Sequence, residues 1–139
     1  MKKILIDTDV ILDLFYDRKP FVEDAAKLFS LCEKGELKAY VSPVIISNLY
    51  YLLRRKAKHE KVIDKILELL KIIDVLPMDK QVVEKALHSK FNDFEDALQN
   101  FAAVQHGEIE AIITRNVKDY RKSEIGVFTP ATFLKILKS

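Results

Sequence analysis

The chain has 139 residues, 49% of them hydrophobic and 32% charged, a balance that excludes a disordered segment and suits one folded domain spanning residues 1–139. Its 23 basic and 21 acidic residues leave a net charge of +2, which by itself assigns neither a nucleic-acid nor a membrane partner. The single cysteine, Cys32, excludes a disulfide framework and a cysteine-built zinc site, and His59, His88 and His106 lack metal-ligand spacing.

Met1-Lys2-Lys3 leads into Ile4-Leu5-Ile6, a continuous apolar run that fits a strand buried on both faces of a parallel sheet. Asp7, Asp9 and Asp13 cut the apolar stretch at once, so it is not a signal peptide, and no run reaches the ~18 apolar residues that cross a bilayer. A cytoplasmic protein with no membrane contact is expected. Asp9 to Phe15 predicts a short helix leaving the strand. Phe21 to Lys34 carries apolar residues at helical spacing, and Gly35 follows where a helix end favours glycine. Lys38 to Val41 predicts a second strand. Ser42-Pro43 then pairs an N-cap with a proline at the first helical position.

That helix carries Val44 through Leu53. The basic run Arg54-Arg55-Lys56-Ala57-Lys58-His59 separates it from another helix ending at Leu70. Ile72 to Leu76 predicts a third strand, Asp79 caps a helix over Val82 to Leu87, and Asp93 or Phe94 opens one that runs to His106 and Gly107. Ala111 to Thr114 predicts a fourth strand and Val127-Phe128 a short fifth. Thr129-Pro130 repeats the cap-and-proline signal for a last helix. Alternating strands and helices predict an α/β fold of three layers, with a mostly parallel sheet of four to five strands and helices on both faces.

In such sheets, ligands bind beyond the carboxyl ends of the strands. Asp7 follows the first strand and Thr114 ends the fourth, with Asn116 and Asp119 in the loop after it; Asp96 lies in the first turn of the helix that leads there. Carboxylates gathered at one edge repel unless they are protonated or bridged by cations. Oxygen ligands without Cys or His favour Mg2+ or Mn2+, and such ions activate water in phosphodiester cleavage. Singly, each aspartate also suits a helix cap or a turn.

The ordered segments Ile6-Asp7-Thr8-Asp9, Ser42 to Tyr51 around Asn48, Asp93-Phe94-Glu95-Asp96, Thr114-Arg115-Asn116-Val117-Lys118-Asp119 and Val127 to Leu134 resemble the motifs of PIN domains over nearly the whole chain. The nearest group resembles the ribonuclease toxins of VapBC-type toxin–antitoxin modules. That resemblance implies a PIN-like three-layer fold and a metal-dependent endoribonuclease using Mg2+ or Mn2+. It also implies an RNA substrate, an antitoxin partner and a homodimer. By position, Asp7, Asp96 and Asp119 match the family's acidic catalytic and metal-binding groups. Asn116 stands beside the last of these, Thr114 matches an orienting hydroxyl, and Asp9 stands where the family more often has Asn.

One position departs. Asn48 stands where many PIN nucleases carry Glu, and an amide brings no negative charge to a cation. Asp93, three residues before Asp96, either compensates on the same helical face or caps that helix. Glu95 is expected to point away. Arg115 and Lys118 flank the acidic loop and suit an anionic substrate; Tyr50 and Tyr51 are expected in the core. The competing reading is a PIN-fold module that binds RNA or protein and cleaves weakly. Asp7-Thr8-Asp9 also resembles a haloacid-dehalogenase phosphatase motif, but Val10-Ile11 replaces the residues that family places next.

Overall fold

The computed structural model describes residues 2–138. Strand β1 (Lys2–Ile6) is followed by helices α1 (Thr8–Phe15) and α2 (Val22–Glu33), then β2 (Leu37–Val41), α3 (Pro43–Arg54) and α4 (His59–Leu70). The chain continues through β3 (Asp74–Val75), α5 (Lys80–His88), α6 (Phe94–His106), β4 (Ala111–Ile113), a 3-10 turn at Val117–Tyr120, β5 (Gly126–Phe128) and α7 (Pro130–Lys138). All five strands are parallel, in the order β3-β2-β1-β4-β5. The expected α/β sandwich is what forms.

That order places the site. From β1 the chain steps outward to β2 and β3, then returns past β1 to β4 and β5. Right-handed crossovers place the connections of the two directions on opposite faces. Accordingly α1 packs against α2 and α3, and α3 against α4, whereas α5 and α6 pack together. The reversal falls between β1 and β4, where helices diverge and leave a crevice.

Helix boundaries follow local chemistry. Ser42 caps α3 by accepting from the Ile45 amide at 3.1 Å, and Pro43 occupies the first helical position. At the end of α2, Gly35 adopts a φ of 77°, which lets the Gly35 and Glu36 amides reach the Cys32 and Leu31 carbonyls. Ile4, Leu5, Ile6, Ile112 and Ile113 are fully buried, as central strands covered on both faces require.

Two expectations shift. The third strand shrinks to two exposed residues because the amides of Ile72 and Ile73 still bond back to Leu69, and Pro77 follows one residue after Leu76. Tyr50 packs on Leu53, Val62 and Ile66 and pairs with His59 at 2.8 Å, but Tyr51 stands 68% exposed, edge-on to the Tyr50 ring.

Candidate active site

The β1–β4 register pairs Ile6 with Ile113, so the residues that follow, Asp7 and Thr114, emerge side by side. The Thr114 hydroxyl, wholly buried, donates to Asp7 Oδ2 at 3.0 Å. Asp7 also caps α1, with Oδ1 accepting from the Thr8 amide at 2.8 Å. Two further donors arrive from behind. Tyr120, buried at the end of the 3-10 turn, donates its hydroxyl to Oδ2 at 3.3 Å, and Gln99 of α6 donates to Oδ1 at 3.4 Å. Gln99 is itself held by the Ser42 hydroxyl, which donates to its Oε1. Neither Gln99 nor Tyr120 was anticipated.

These neutral donors do not offset the loss of water. Burial is the main cause that raises the Asp7 carboxyl above its ordinary value, and the Asp119 charge adds to it. The Asp96 carboxyl is pushed up to about 7, by burial first and then by Asp93, Asp7 and Asp119. Asp96 thus lies within reach of the charges of Asp93, Asp7 and Asp119. Burial also places the Tyr120 phenol far above its usual range, so its hydroxyl remains a donor at any working pH.

Asp96 stands on the wall between two cavities. One, of about 250 Å³, is lined by Asp7, Asp9, Asn48, Glu95, Gln99 and Asn116 among others. Its neighbour, of about 170 Å³, is lined by Asp93, Asp96 and Asp119 together with Lys118, Arg121 and Lys122. Asp93 is the N-cap of α6, accepting from the Asp96 amide at 3.0 Å, and still lends its charge to the group. Glu95 corrects an expectation. It lines the first cavity and accepts from Asn48 Nδ2 at 3.0 Å instead of pointing away. In the first turn of α6, Glu95 and Asp96 flank one opening, and the α3 amide draws Glu95 across it.

Asp9 is held from the β4 side. Its Oδ2 accepts from the Arg115 amide at 3.0 Å and from Asn116 Nδ2 at 3.3 Å, while Oδ1 is buried without a hydrogen bond. Burial, then the Asp7 charge, pushes this carboxyl up to about 6. The Arg115 guanidinium faces inward. It grips Asp13, only 1% exposed, through Nε at 2.7 Å and Nη2 at 3.1 Å, and lies 4.0 Å from the Phe21 ring centroid. Lys118 remains exposed on the rim.

The donors available to a cation are all oxygen: the carboxylates of Asp7, Asp96 and Asp119, with Asp9 Oδ1 uncommitted. That chemistry fits a hard divalent ion such as Mg2+ or Mn2+. Among the described residues, no three Asp, Glu, His or Cys side chains form a ready-made cation cage.

Known proteins share this fold. The family described as PIN domain matches residues 3–118. The chain is 28% identical to Ribonuclease VapC1 of Aquifex aeolicus over 137 residues, covering 95% of this chain and 93% of that protein. Its fold is similar to VapBC-1 of nontypeable Haemophilus influenzae, with a TM-score of 0.68 at 16% identity over 93% of this chain and 98% of that one. It is also similar to the sarcin-ricin loop cleaving toxin VapC20 of Mycobacterium tuberculosis, with a TM-score of 0.58 at 17% identity over 78% and 86% of the two chains.

Proposed function

The chain belongs to the PIN-domain family, and from that premise we propose that it is a toxin-like, metal-dependent endoribonuclease that hydrolyses RNA phosphodiesters. One observation carries the reading. Asp7, directly after β1, and Asp96 of α6 line one cavity at the sheet's reversal point, and the Asp7 charge adds to the burial that raises the Asp96 carboxyl. The similarity to a curated ribonuclease along almost the whole chain supports it.

Asp7, Asp96 and Asp119 are the residues that would hold Mg2+ or Mn2+. When bound, such an ion supplies an activated water and stabilises charge on the leaving oxygen. The protein's own part is preorganisation. Thr114, Tyr120 and Gln99 hold both oxygens of Asp7, so its carboxylate does not reorient. Asn116 and the Arg115 amide fix Asp9 beside it. Lys118, exposed next to Asp119, draws a phosphate toward the carboxylates. Arg115 contributes position, because its guanidinium is spent on Asp13.

An antitoxin partner and a homodimer belong to the same proposal. The comparison structures include toxin–antitoxin complexes, and α4 exposes Ile63, Leu67 and Leu70 along one face. Among the described residues no helix is long and apolar enough to cross a membrane, and we place the activity in the cytoplasm.

The test is cleavage of a panel of structured and single-stranded RNAs with Mn2+, Mg2+ or EDTA, comparing wild type with Asp96→Asn. Cleavage that needs the cation and is lost in the variant is expected. A folded wild type that cleaves nothing with metal present would favour the second reading, a module that binds RNA or protein without cutting. The amide at Asn48 is the observation behind that alternative.

A further inference from the structure

Position 48 supplies an amide where the site would use an acid, yet the cavity it faces does not lack a fourth carboxylate. Asn48 extends from α3 toward the first turn of α6 and donates Nδ2 to Glu95 Oε2 at 3.0 Å. Both side chains line the cavity that holds Asp7, Asp9 and Asp96. A glutamate at an exposed helix start ordinarily stays free in water, since ordering its side chain costs conformational entropy. Here Glu95, still exposed to solvent, is drawn by the Asn48 amide across the mouth of the cavity that Asp7, Asp9 and Asp96 line, where a cation would answer all four charges. A second feature of the same cavity points the same way: Asp9 Oδ1 is buried there and takes no hydrogen bond.

We propose that Glu95 is the fourth carboxylate of this site and that Asn48 is its positioning residue. The acid has moved from α3 to α6, and the amide left on α3 orients it. An amide donor on a carboxylate ligand is the usual outer layer of a cation site, fixing which lone pairs face the ion. The arrangement also explains why Asn and not Glu suits position 48, where a carboxylate would abut Glu95. The proposal rests on the cation reading above.

The test is calorimetric titration of the full chain with MnCl2, alongside RNA cleavage and thermal melting in EDTA. Glu95→Gln keeps an oxygen for the Asn48 amide and removes only the charge; it should weaken Mn2+ binding about tenfold or more while melting in EDTA like wild type. Asn48→Ala should weaken binding by a smaller factor. The exchange Asn48→Glu with Glu95→Gln should recover most of the affinity, because it returns the charge from the other side of the cavity. Wild-type Mn2+ affinity in Glu95→Gln, with binding lost in Asp96→Asn, would overturn the proposal and leave the cation reading standing. So would a lowered melting temperature of Glu95→Gln in EDTA, which would make the residue structural. If wild type shows no Mn2+ binding that Asp96→Asn removes, both fall together.

Discussion

Asp7 and Asp13 lie at the two ends of one short helix, and both are carboxylates taken out of bulk water. Their surroundings differ in one respect. Asp13, 1% exposed, faces two guanidiniums, with Arg115 bonded through two nitrogens and Arg18 at 3.6 Å. The hydrogen bonds to Asp7 come from a threonine, a tyrosine, a glutamine and a backbone amide, all neutral, and its neighbour Asp119 repels. Asp13 has its countercharge within the fold and knits α1 to the loop after β4. Asp7 is held just as firmly in place but keeps its demand for positive charge. A structural ion pair and the proposed cation site are thus distinguished by the kind of donor, a distinction that burial alone does not reveal.

The sharpest way to break this comparison is to neutralise each carboxylate. Asp7→Asn keeps the helix cap and the shape, so the fold should persist, while RNA cleavage with Mn2+ should fall by about a thousandfold, the effect of losing several kcal/mol of metal-derived stabilisation. Retained cleavage in a folded variant would remove Asp7 from the site. On the structural side, Arg115→Ala leaves the buried Asp13 carboxylate with the Arg18 guanidinium alone, at 3.6 Å and without a hydrogen bond to it. That should cost about 3 kcal/mol and lower Tm by roughly 10 °C, read by calorimetry in EDTA. An unchanged Tm would mean that the Asp13 pair carries no structural weight.

Proton linkage separates the two regions further. In metal-free protein, Asp96 and Asp9 hold protons up to about 7 and about 6, whereas in the unfolded chain they release them near the ordinary carboxylate value of 3.8. The folded state therefore binds more protons above the ordinary carboxylate value, and stability falls as pH rises from about 4 to 7, with the raised Asp7 carboxyl acting in the same direction. Asp96 is half exposed, so solvent screening keeps its part modest. Mn2+ competes with these protons and should raise Tm more at pH 8 than at pH 5. Equal stabilisation at both values would place the ion away from these carboxylates.

The parts of this site legible in the sequence are those tied to strand ends. Ile4-Leu5-Ile6 and Ala111-Ile112-Ile113 announce themselves as buried parallel strands, and register alone then sets Asp7 beside Thr114. Asp93 as a cap was equally readable, because capping joins residues only three apart in sequence. What escaped depends on tertiary approach. Glu95 was turned by an amide 47 residues away, and Asp13 meets Arg115 across 102. Gln99 left a usable trace, three residues after Asp96 and among the small and apolar residues Ala97, Leu98, Ala102 and Ala103, where a buried amide must find partners. Strand β3 came out shorter than its apolar run because the chain was still completing the α4 turn through Ile73.

The smallest expected effect concerns the two basic residues beside Asp119, and it tests whether Arg115 belongs wholly to the Asp13 side. Each phosphate contact adds about 0.7 to the slope of log affinity against log salt for a single strand. Lys118, exposed and without the inward pairing of Arg115, should contribute one such contact, so Lys118→Ala lowers the slope by about that amount and weakens binding of a catalytically silent Asp96→Asn background only modestly. Arg115→Ala, measured below its melting temperature in the same background, should leave the slope unchanged because its charge is already answered by Asp13. A slope that drops with Arg115→Ala as well would mean that RNA draws the guanidinium out of its ion pair, and the loop after β4 would then be shared between the fold and the substrate.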